Sequence, residues 1–404
     1  MSLLRIGLYL AVVQLFFALT WTVYVIFLPK LAAQAGIAAS WLSTILLLDQ
    51  LVFTACDWGA GVLADRAARW TARLGGVITL ITVISGIAFL AMPFAAPGGG
   101  WMSTLVFPAL IAVWAVTSSA LRAPPLVLIG RYIPKPSHPV LAAVLLLGNG
   151  LAGAFSPYLT VALRDLDPRL PFALASLAVV AATLGMQWAE RSMASVAATA
   201  PPAPLERPLQ SAGLFLIAAC LLALGFQIHF SVNAAPAFLH FAKPADLEYL
   251  MPLFWVGFNI AILPCMLIAR RFGGLAACAI GAWIAAGAGW ASVQAASLDS
   301  LIVAQLIAGA GWACVLSSAV TAALAIGRTG REGLVTGAMF SVFAVAALVR
   351  IAAVALHANQ QPALASVLRY TPAAAWLLAG ILLMVAARRH RSSGRPTPAN
   401  VQSR

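Results

Sequence analysis

The chain has 404 residues, of which 62% are hydrophobic and only 9% carry a charge. Because soluble domains carry about 25% charged residues, this composition excludes a soluble globular protein and indicates an integral membrane protein. The net charge of +13 does not indicate nucleic-acid binding, because the basic residues stand in short segments between apolar runs and orient the chain in the bilayer.

Twelve apolar segments are long enough to cross a bilayer as helices, which takes about 20 residues each. They are centred on residues 7–28, 40–63, 73–95, 104–127, 139–162, 170–188, 212–236, 249–269, 274–295, 300–325, 334–356 and 370–387. Runs of this length exclude a membrane β-barrel, whose strands are short and alternate in hydropathy. The sequence therefore predicts an all-α integral membrane fold with transmembrane spans 1 to 12.

The segment GVLADRAARW at residues 61–70 concentrates charge at the end of span 2. A carboxylate there, Asp65, can contact the positive N-terminus of a neighbouring helix. Gly61, one turn earlier, lets that helix approach closely. Arg66 and Arg69 can pair with a carboxylate or face lipid headgroups. The sequence predicts that this contact forms when the protein closes at the end of the bundle where span 2 finishes. The alternative is a loop whose charges only set the topology.

The longest polar interruption is ERSMASVAATAPPAPLERPLQ at residues 190–210, between spans 6 and 7. It divides the chain into two six-helix units, residues 1–189 and 211–404, the second ending in a short basic tail. Most of the 24 lysines and arginines lie in connections on the same side of the membrane as this linker. By the positive-inside rule, the linker and both termini are predicted to lie in the cytoplasm.

These features together resemble the major facilitator superfamily over nearly the whole chain. The signature of that family after span 2, Gly-x-x-x-Asp-Arg-x-Gly-Arg-Arg, is matched at Gly61, Asp65, Arg66 and Arg69. Ala68 and Trp70 depart from it. The resemblance implies two six-helix repeats around a central pathway, alternating access between two open states, and a contact of Asp65 with the beginning of span 11.

Ionisable groups inside predicted spans are costly and indicate function. They are Asp49 and Asp57 in span 2, Arg122 in span 4, His229 in span 7 and Arg350 in span 11. In one interpretation, Asp49 or Asp57 binds and releases a proton during each transport cycle. In another, Arg122 and Arg350 bind an anionic substrate, because a guanidinium suits carboxylate and phosphate. A structural alternative is that Asp57 and Arg122 only pair with each other.

Prolines follow two of these residues in the sequence. Pro124 and Pro125 come just after Arg122 and cannot donate normal helix hydrogen bonds. His229 precedes Pro236, where span 7 is expected to break, so His229 either lines a cavity or forms a structural hydrogen bond.

Asn259 is a further candidate for contact with a substrate, because it adds a polar group to the apolar span 8.

The cysteines indicate neither disulfides nor a metal site. All five lie in apolar runs without CxxC spacing, which is typical of small buried hydrophobic residues: Cys56, Cys220, Cys265, Cys278 and Cys314. The sequence also has no HExxH, GxSxG or P-loop motif. It therefore predicts neither an enzyme nor an ATP-driven pump, and no cofactor.

The sequence thus predicts a monomeric secondary active transporter that works by alternating access. The leading hypothesis is proton-coupled export of a small organic or amphipathic molecule. The alternative is uptake or exchange of an organic anion, a carboxylate or phosphate ester, bound by the membrane arginines. Short loops, an alanine-rich composition and the lack of lipidation or organelle signals favour a bacterial inner membrane.

Overall fold

The computed structural model describes residues 3–70, 74–98, 100–197, 211–327 and 330–392. Every regular element in these ranges is helical. Within them, 12 segments are long and apolar enough to cross a membrane. They run Leu3–Gln34, Ala39–Ala68, Leu74–Ala95, Trp101–Tyr132, Lys135–Leu163, Arg169–Ala197, Ala212–Leu239, Pro244–Phe272, Gly274–Val293, Leu298–Gly327, Glu332–Ala355 and Pro362–Arg389. The predicted all-α fold with twelve spans is confirmed.

Four of these spans consist of two helices, and the other eight have one long helix each. The long helices are Leu3–Gln34, Leu42–Trp70, Leu74–Ala95, His138–Leu163, Gly274–Val293, Leu298–Gly327, Glu332–Ala355 and Pro362–Ser392. The divided spans contain Trp101–Ser118 with Ala123–Tyr132, Arg169–Thr183 with Met186–Ala197, Ala212–Ile228 with Ala234–Leu239, and Leu247–Leu250 with Leu253–Phe272.

The predicted linker is partly helical. Helix Met186–Ala197 continues span 6 into the segment 190–210. Residues 198–210 and the basic tail from 393 to 404 lie outside the described residues. The domain boundaries at 189 and 211 therefore stay predictions.

The side chains that face outward are those that a bilayer requires. Large aliphatic residues are exposed on spans throughout the chain, among them Leu63 at 62%, Ile87 at 62%, Leu177 at 68% and Ile260 at 70%. Water-soluble proteins do not expose apolar surface on this scale. The spans therefore present an apolar belt suited to lipid.

The basic residues gather at one end of the bundle, where the even-numbered spans finish. Arg66, Arg131, Arg191, Arg270 and Arg271 all lie there. We name this the basic end. Its placement in the cytoplasm stays a prediction from the charge distribution.

The two halves meet mainly through two pairs of spans, with smaller contacts of span 4 with span 11 and of span 10 with spans 4 and 5. Span 2 packs along span 11, and span 5 packs along span 8. Inside the first half, span 1 packs on span 5 and span 3 on spans 4 and 6; inside the second half, span 10 packs on spans 8 and 9, and span 12 on spans 7 and 9. The contacts between the halves therefore lie on the inner spans, around a central axis.

Where glycine occurs, the backbones of neighbouring helices come into direct contact. A Cβ added at Gly309 in span 10 would lie 1.8 Å from the carbonyl oxygen of Phe254 in span 8. Association of helices in a membrane depends on such close packing, because lipid supplies no hydrophobic drive between helices. Gly287, on span 9, differs: a Cβ added there would meet nothing within 4 Å.

We expect Gly309→Ala to lower the free energy of unfolding by about 1–3 kcal/mol, because the methyl group forces spans 8 and 10 apart. Gly287→Ala is the matched control, since its methyl group meets open space and alanine favours the helix. The apparent Tm of both purified variants in detergent checks this. Equal melting temperatures would contradict the packing argument.

Candidate functional site

Asp65 joins the two halves at the basic end. Its Oδ1 accepts a hydrogen bond from Gly333 N at 2.7 Å, and its Oδ2 accepts one from Leu334 N at 2.8 Å. These amides belong to the first turn of helix Glu332–Ala355, where N–H groups lack partners within the helix and the helix dipole is positive. The expected contact of Asp65 with the beginning of span 11 is present, and its role in gating stays a prediction.

Glycines bring spans 2 and 11 together beside Asp65. A Cβ at Gly61 would lie 2.0 Å from the carbonyl oxygen of Gly333, and one at Gly337 would lie 2.5 Å from the carbonyl oxygen of Asp57. Further along the same contact, the Ser341 hydroxyl donates to the carbonyl of Thr54 at 2.7 Å. The two helices therefore touch along several turns, and no side chain larger than hydrogen fits at Gly61.

The arginines of the same motif lie apart from this contact. Arg66 is exposed at the basic end and forms no ion pair with another described residue. Arg69 lies on the last turn of helix Leu42–Trp70, and its side chain is outside the described part of the chain. Arg131, from span 4, instead donates a hydrogen bond to the carbonyl of Ala68 near the end of span 2.

A second carboxylate binds a helix N-terminus within the first half. Glu190, on span 6, accepts hydrogen bonds from Leu74 N at 3.0 Å and Gly75 N at 2.7 Å. The chemistry matches that of Asp65, because two backbone donors at the start of span 3 meet one buried carboxylate. This contact was not predicted from the sequence, in which its only signal is a glutamate near the end of span 6.

Asp57 and Arg122 form an ion pair in the first half. Arg122 Nη1 donates to Asp57 Oδ2 at 2.7 Å, and the Asp57 side chain is fully buried. The guanidinium carbon also lies 4.0 Å from the centre of the Phe53 ring. Asp57 Oδ1 and the hydroxyl of Ser119 are both buried, and neither has a hydrogen-bond partner within the part of the chain that the structure describes. The pairing that the structural alternative expects is therefore present, and a role of either residue in transport stays a prediction.

Two prolines account for the position of Arg122. Pro124 and Pro125 have no N–H groups and cannot continue the hydrogen-bond ladder of span 4. The helix accordingly ends at Ser118, passes through a 3₁₀ turn at Ser119–Leu121, and resumes at Ala123. Arg122 takes φ −97° and ψ −80° at this break, which turns its side chain toward span 2.

Asp49 lies in an aromatic pocket of the first half. The Tyr24 hydroxyl donates to Asp49 Oδ2 at 2.7 Å, and the aspartate is 3% exposed. The rings of Trp21 and Trp114 pack on Tyr24, with centroid separations of 5.5 and 4.7 Å. No basic side chain among the described residues forms an ion pair with Asp49. Its environment thus differs sharply from that of Asp57.

His229 lies where span 7 changes its winding. Residues His229–Asn233 form a π-helical turn between helices Ala212–Ile228 and Ala234–Leu239. His229 is buried, and its Nε2 lies 3.0 Å from Gln305 Oε1 of span 10. It also lines a cavity in the second half. His229 therefore forms a hydrogen bond between helices and also lines this cavity, and its contact with a substrate stays a prediction.

The remaining candidates lie in different surroundings. Arg350 Nε donates to Gln227 Oε1 at 3.2 Å, so spans 11 and 7 are joined without a carboxylate. Asn259 donates through Nδ2 to the carbonyl of Trp255 at 2.7 Å, while its buried Oδ1 has no partner among the described residues. That Oδ1 faces Gly150 of span 5. Asn259 therefore lies in the contact between the halves.

The structure brings some predicted residues together and separates others. Asp57 contacts Arg122, whereas Asp49 lies eight residues earlier on span 2 and has its own partner. All five cysteines are free thiols. Among the described residues, no group of three or more histidine, cysteine or acidic side chains is arranged to hold a metal ion.

Solved structures with the same arrangement of helices are transporters. The crystal structure of the human organic anion transporter MFSD10 (TETRAN) matches with a TM-score of 0.72 and 16% identity, over 95% of this chain and 100% of that chain. A bacterial homologue of the iron transporter ferroportin, in the outward-facing state, matches with a TM-score of 0.73 and 15% identity, over 95% and 100%. The same homologue with soaked iron matches with a TM-score of 0.71 and 14% identity, over 98% of this chain and 100% of that chain.

These similarities establish the class of fold. The chain is a multi-pass membrane protein with the fold of the major facilitator superfamily, as the sequence resemblance implied. No protein-family model matches the sequence, and a comparison with curated proteins finds no match.

We expect Arg122→Leu to destabilise the protein by about 3–5 kcal/mol, because it leaves the buried Asp57 carboxylate without its partner. The double variant Asp57→Asn/Arg122→Leu is expected to recover most of this loss, since no buried charge then remains. Thermal unfolding of both variants in detergent measures the difference. If the double variant is no more stable than Arg122→Leu, the pair is not what stabilises this region.

Proposed function

We propose that the protein is a secondary active transporter that works by alternating access between its two six-helix halves. The observation that carries this proposal is the contact of Asp65 with the first turn of span 11, which joins the halves at the basic end. Separation of the halves there breaks two charge-assisted hydrogen bonds without disturbing either bundle. The contact can therefore favour the state closed at the basic end, by about 1–2 kcal/mol.

For coupling, the proposal assigns proton binding to Asp49 rather than Asp57. Asp57 has a fixed cationic partner in Arg122, whereas Asp49 has only the Tyr24 hydroxyl among the described residues. A carboxylate without a fixed cationic partner can bind and release a proton without breaking an ion pair. Loss and gain of that proton changes the charge of the first half, which is what coupling of export to a proton gradient requires.

A second candidate is transport of an organic anion, a carboxylate or phosphate ester. Arg350 is half-buried in span 11 and contacts the neutral Gln227 rather than a carboxylate. Its charge is therefore available to an anion, unlike that of Arg122. The fold neighbour MFSD10 is an organic anion transporter, which is consistent with this candidate. In either case the proposal includes a bacterial inner membrane, a cytoplasmic basic end and a monomer.

The gating role predicts that Asp65→Asn favours the state open at the basic end, because the uncharged amide binds the helix N-terminus more weakly. Spin labels at Leu63→Cys and Arg331→Cys, in a background without the five native cysteines, measure the separation of spans 2 and 11. We expect the population at long distances to increase.

Glu190→Gln is the matched control for this experiment. It removes the charge from a similar carboxylate contact that lies within one half, so we expect a loss of stability of about 1 kcal/mol and an unchanged distance distribution. An Asp65→Asn protein with the distances of the parent would contradict the gating role.

The coupling role predicts that Asp49→Asn abolishes the dependence of flux on an imposed pH gradient, because the amide cannot exchange a proton. A compound for the flux assay comes from a thermal-shift screen with organic anions, organic cations and neutral amphiphiles, since a ligand of the folded state raises its stability. Tyr24→Phe serves as the control, because it removes the hydrogen bond and keeps the carboxylate. Flux through the parent protein that is indifferent to pH would overturn proton coupling.

Stabilisation by organic anions that Arg350→Gln removes would favour the second candidate. Arg350→Lys keeps the charge without the planar guanidinium and distinguishes charge from geometry. If Arg350→Gln binds the anions as tightly as the parent protein does, Arg350 does not bind them.

A further inference from the structure

A cavity of about 320 Å³ lies inside the second half, between spans 7, 9, 10 and 12. Its lining residues all belong to the second half, whereas the main contacts between the halves use spans 2, 5, 8 and 11. Its floor is formed by the buried His229 and Gln305, and its rim by the exposed His240 and Arg369. The rim lies at the end of the bundle opposite the basic end, so the cavity opens there.

The floor holds polar groups that protein partners leave unused. His229 and Gln305 contact each other through Nε2 and Oε1 at 3.0 Å. The remaining groups, His229 Nδ1 and the Gln305 amide nitrogen, have no hydrogen-bond partner among the described residues. Buried polar groups are nearly always hydrogen-bonded, so a polar molecule that enters the cavity finds a donor at its floor.

The π-helical turn shapes the wall beside that floor. Its last residue, Asn233, donates from Nδ2 to the carbonyl of Leu368 in span 12 at 3.0 Å. This bond holds span 7 against span 12 just above His229. Winding of this kind occurs mostly as single turns and is frequent at functional sites. The part of the wall beside His229 is therefore held in place by the bond between spans 7 and 12.

The cavity has an arginine at its rim, and its walls are in part apolar. Arg369 stands at the mouth, and no acidic residue is among the described lining residues. Val232, Pro236, Phe241 and Leu368 supply apolar wall surface. The arginine at the mouth and the apolar wall surface beside it suit a molecule with one anionic group and an apolar body.

We propose that this cavity binds a small amphipathic carboxylate, with the carboxylate held by Arg369 and the body between spans 7 and 12. This site lies within one half and is additional to the pathway between the halves. The inference does not rest on the proposed function, because a binding site inside one bundle needs no alternating access.

The test uses benzoate as the probe, with benzamide as its uncharged counterpart, and the purified full-length protein in lipid nanodiscs. Isothermal titration calorimetry measures the affinity for each compound. We expect benzoate to bind and benzamide to bind at least about tenfold more weakly, because a charge-assisted hydrogen bond is lost. Arg369→Gln is expected to weaken benzoate binding by a similar factor.

Two controls locate the site. Arg164→Gln changes another exposed arginine at the same end, in the first half, and is expected to leave the affinity unchanged. Ser292→Phe places a ring in the cavity from span 9 and is expected to abolish binding; if it does not fold, Arg369→Gln decides alone. Absence of benzoate binding would overturn the proposal.

Benzoate binding that Arg369→Gln leaves intact would also overturn the proposal. If Arg350→Gln abolishes that binding instead, the carboxylate lies in the pathway between the halves. In that case the cavity proposal fails while the anion candidate for the transported substrate gains support, so the two are tested separately.

Discussion

The structure depends on one constraint, which is that a helix begins with N–H groups that have no partner inside it. Where such a helix end is buried against a neighbouring helix, these groups are shielded from water, so another part of the protein must satisfy them. At the basic end, carboxylates meet this requirement for two spans: Glu190 for span 3 and Asp65 for span 11. The first contact lies within a bundle, and the second lies between bundles. The same chemistry therefore joins two helices of one bundle in one place and helices of the two halves in the other.

Close glycine packing leaves few interlocked side chains between spans 2 and 11. Spans 2 and 11 meet through glycine backbone at Gly61 and Gly333 rather than through interlocking side chains. Few rotamers have to change when such surfaces part, because hardly any side chain lies between them. Asp65, Thr54 and Ser341 supply the polar contacts along the seam. A few hydrogen bonds thus make the contact between spans 2 and 11 specific, and the rest of the contact has few interlocking side chains.

The sequence predicted what depends on local pattern. Hydropathy identified the twelve spans, and the motif at the end of span 2 indicated the partner of Asp65. The break at Arg122 follows from the two prolines after it. The partners of Asp49 and His229 were not predictable, because Tyr24 and Gln305 are distant in sequence and lie on helices whose facing surfaces only the packed bundle determines. Two interpretations of Arg122 remained open for the same reason, since sequence shows that a charge is buried but not what it touches.

The π-helical turn at His229–Asn233 has a consequence for the direction of every residue beyond it. One extra residue within a turn advances the following helix by about 100° relative to regular α-helical phase. The short helix Ala234–Leu239 therefore presents a different face to its neighbours from the one that the pattern of the preceding helix implies. Loss of a single residue here would restore the regular phase and rotate Pro236 away from the cavity. The register of span 7 is in this way a determinant of what its outer third can contact.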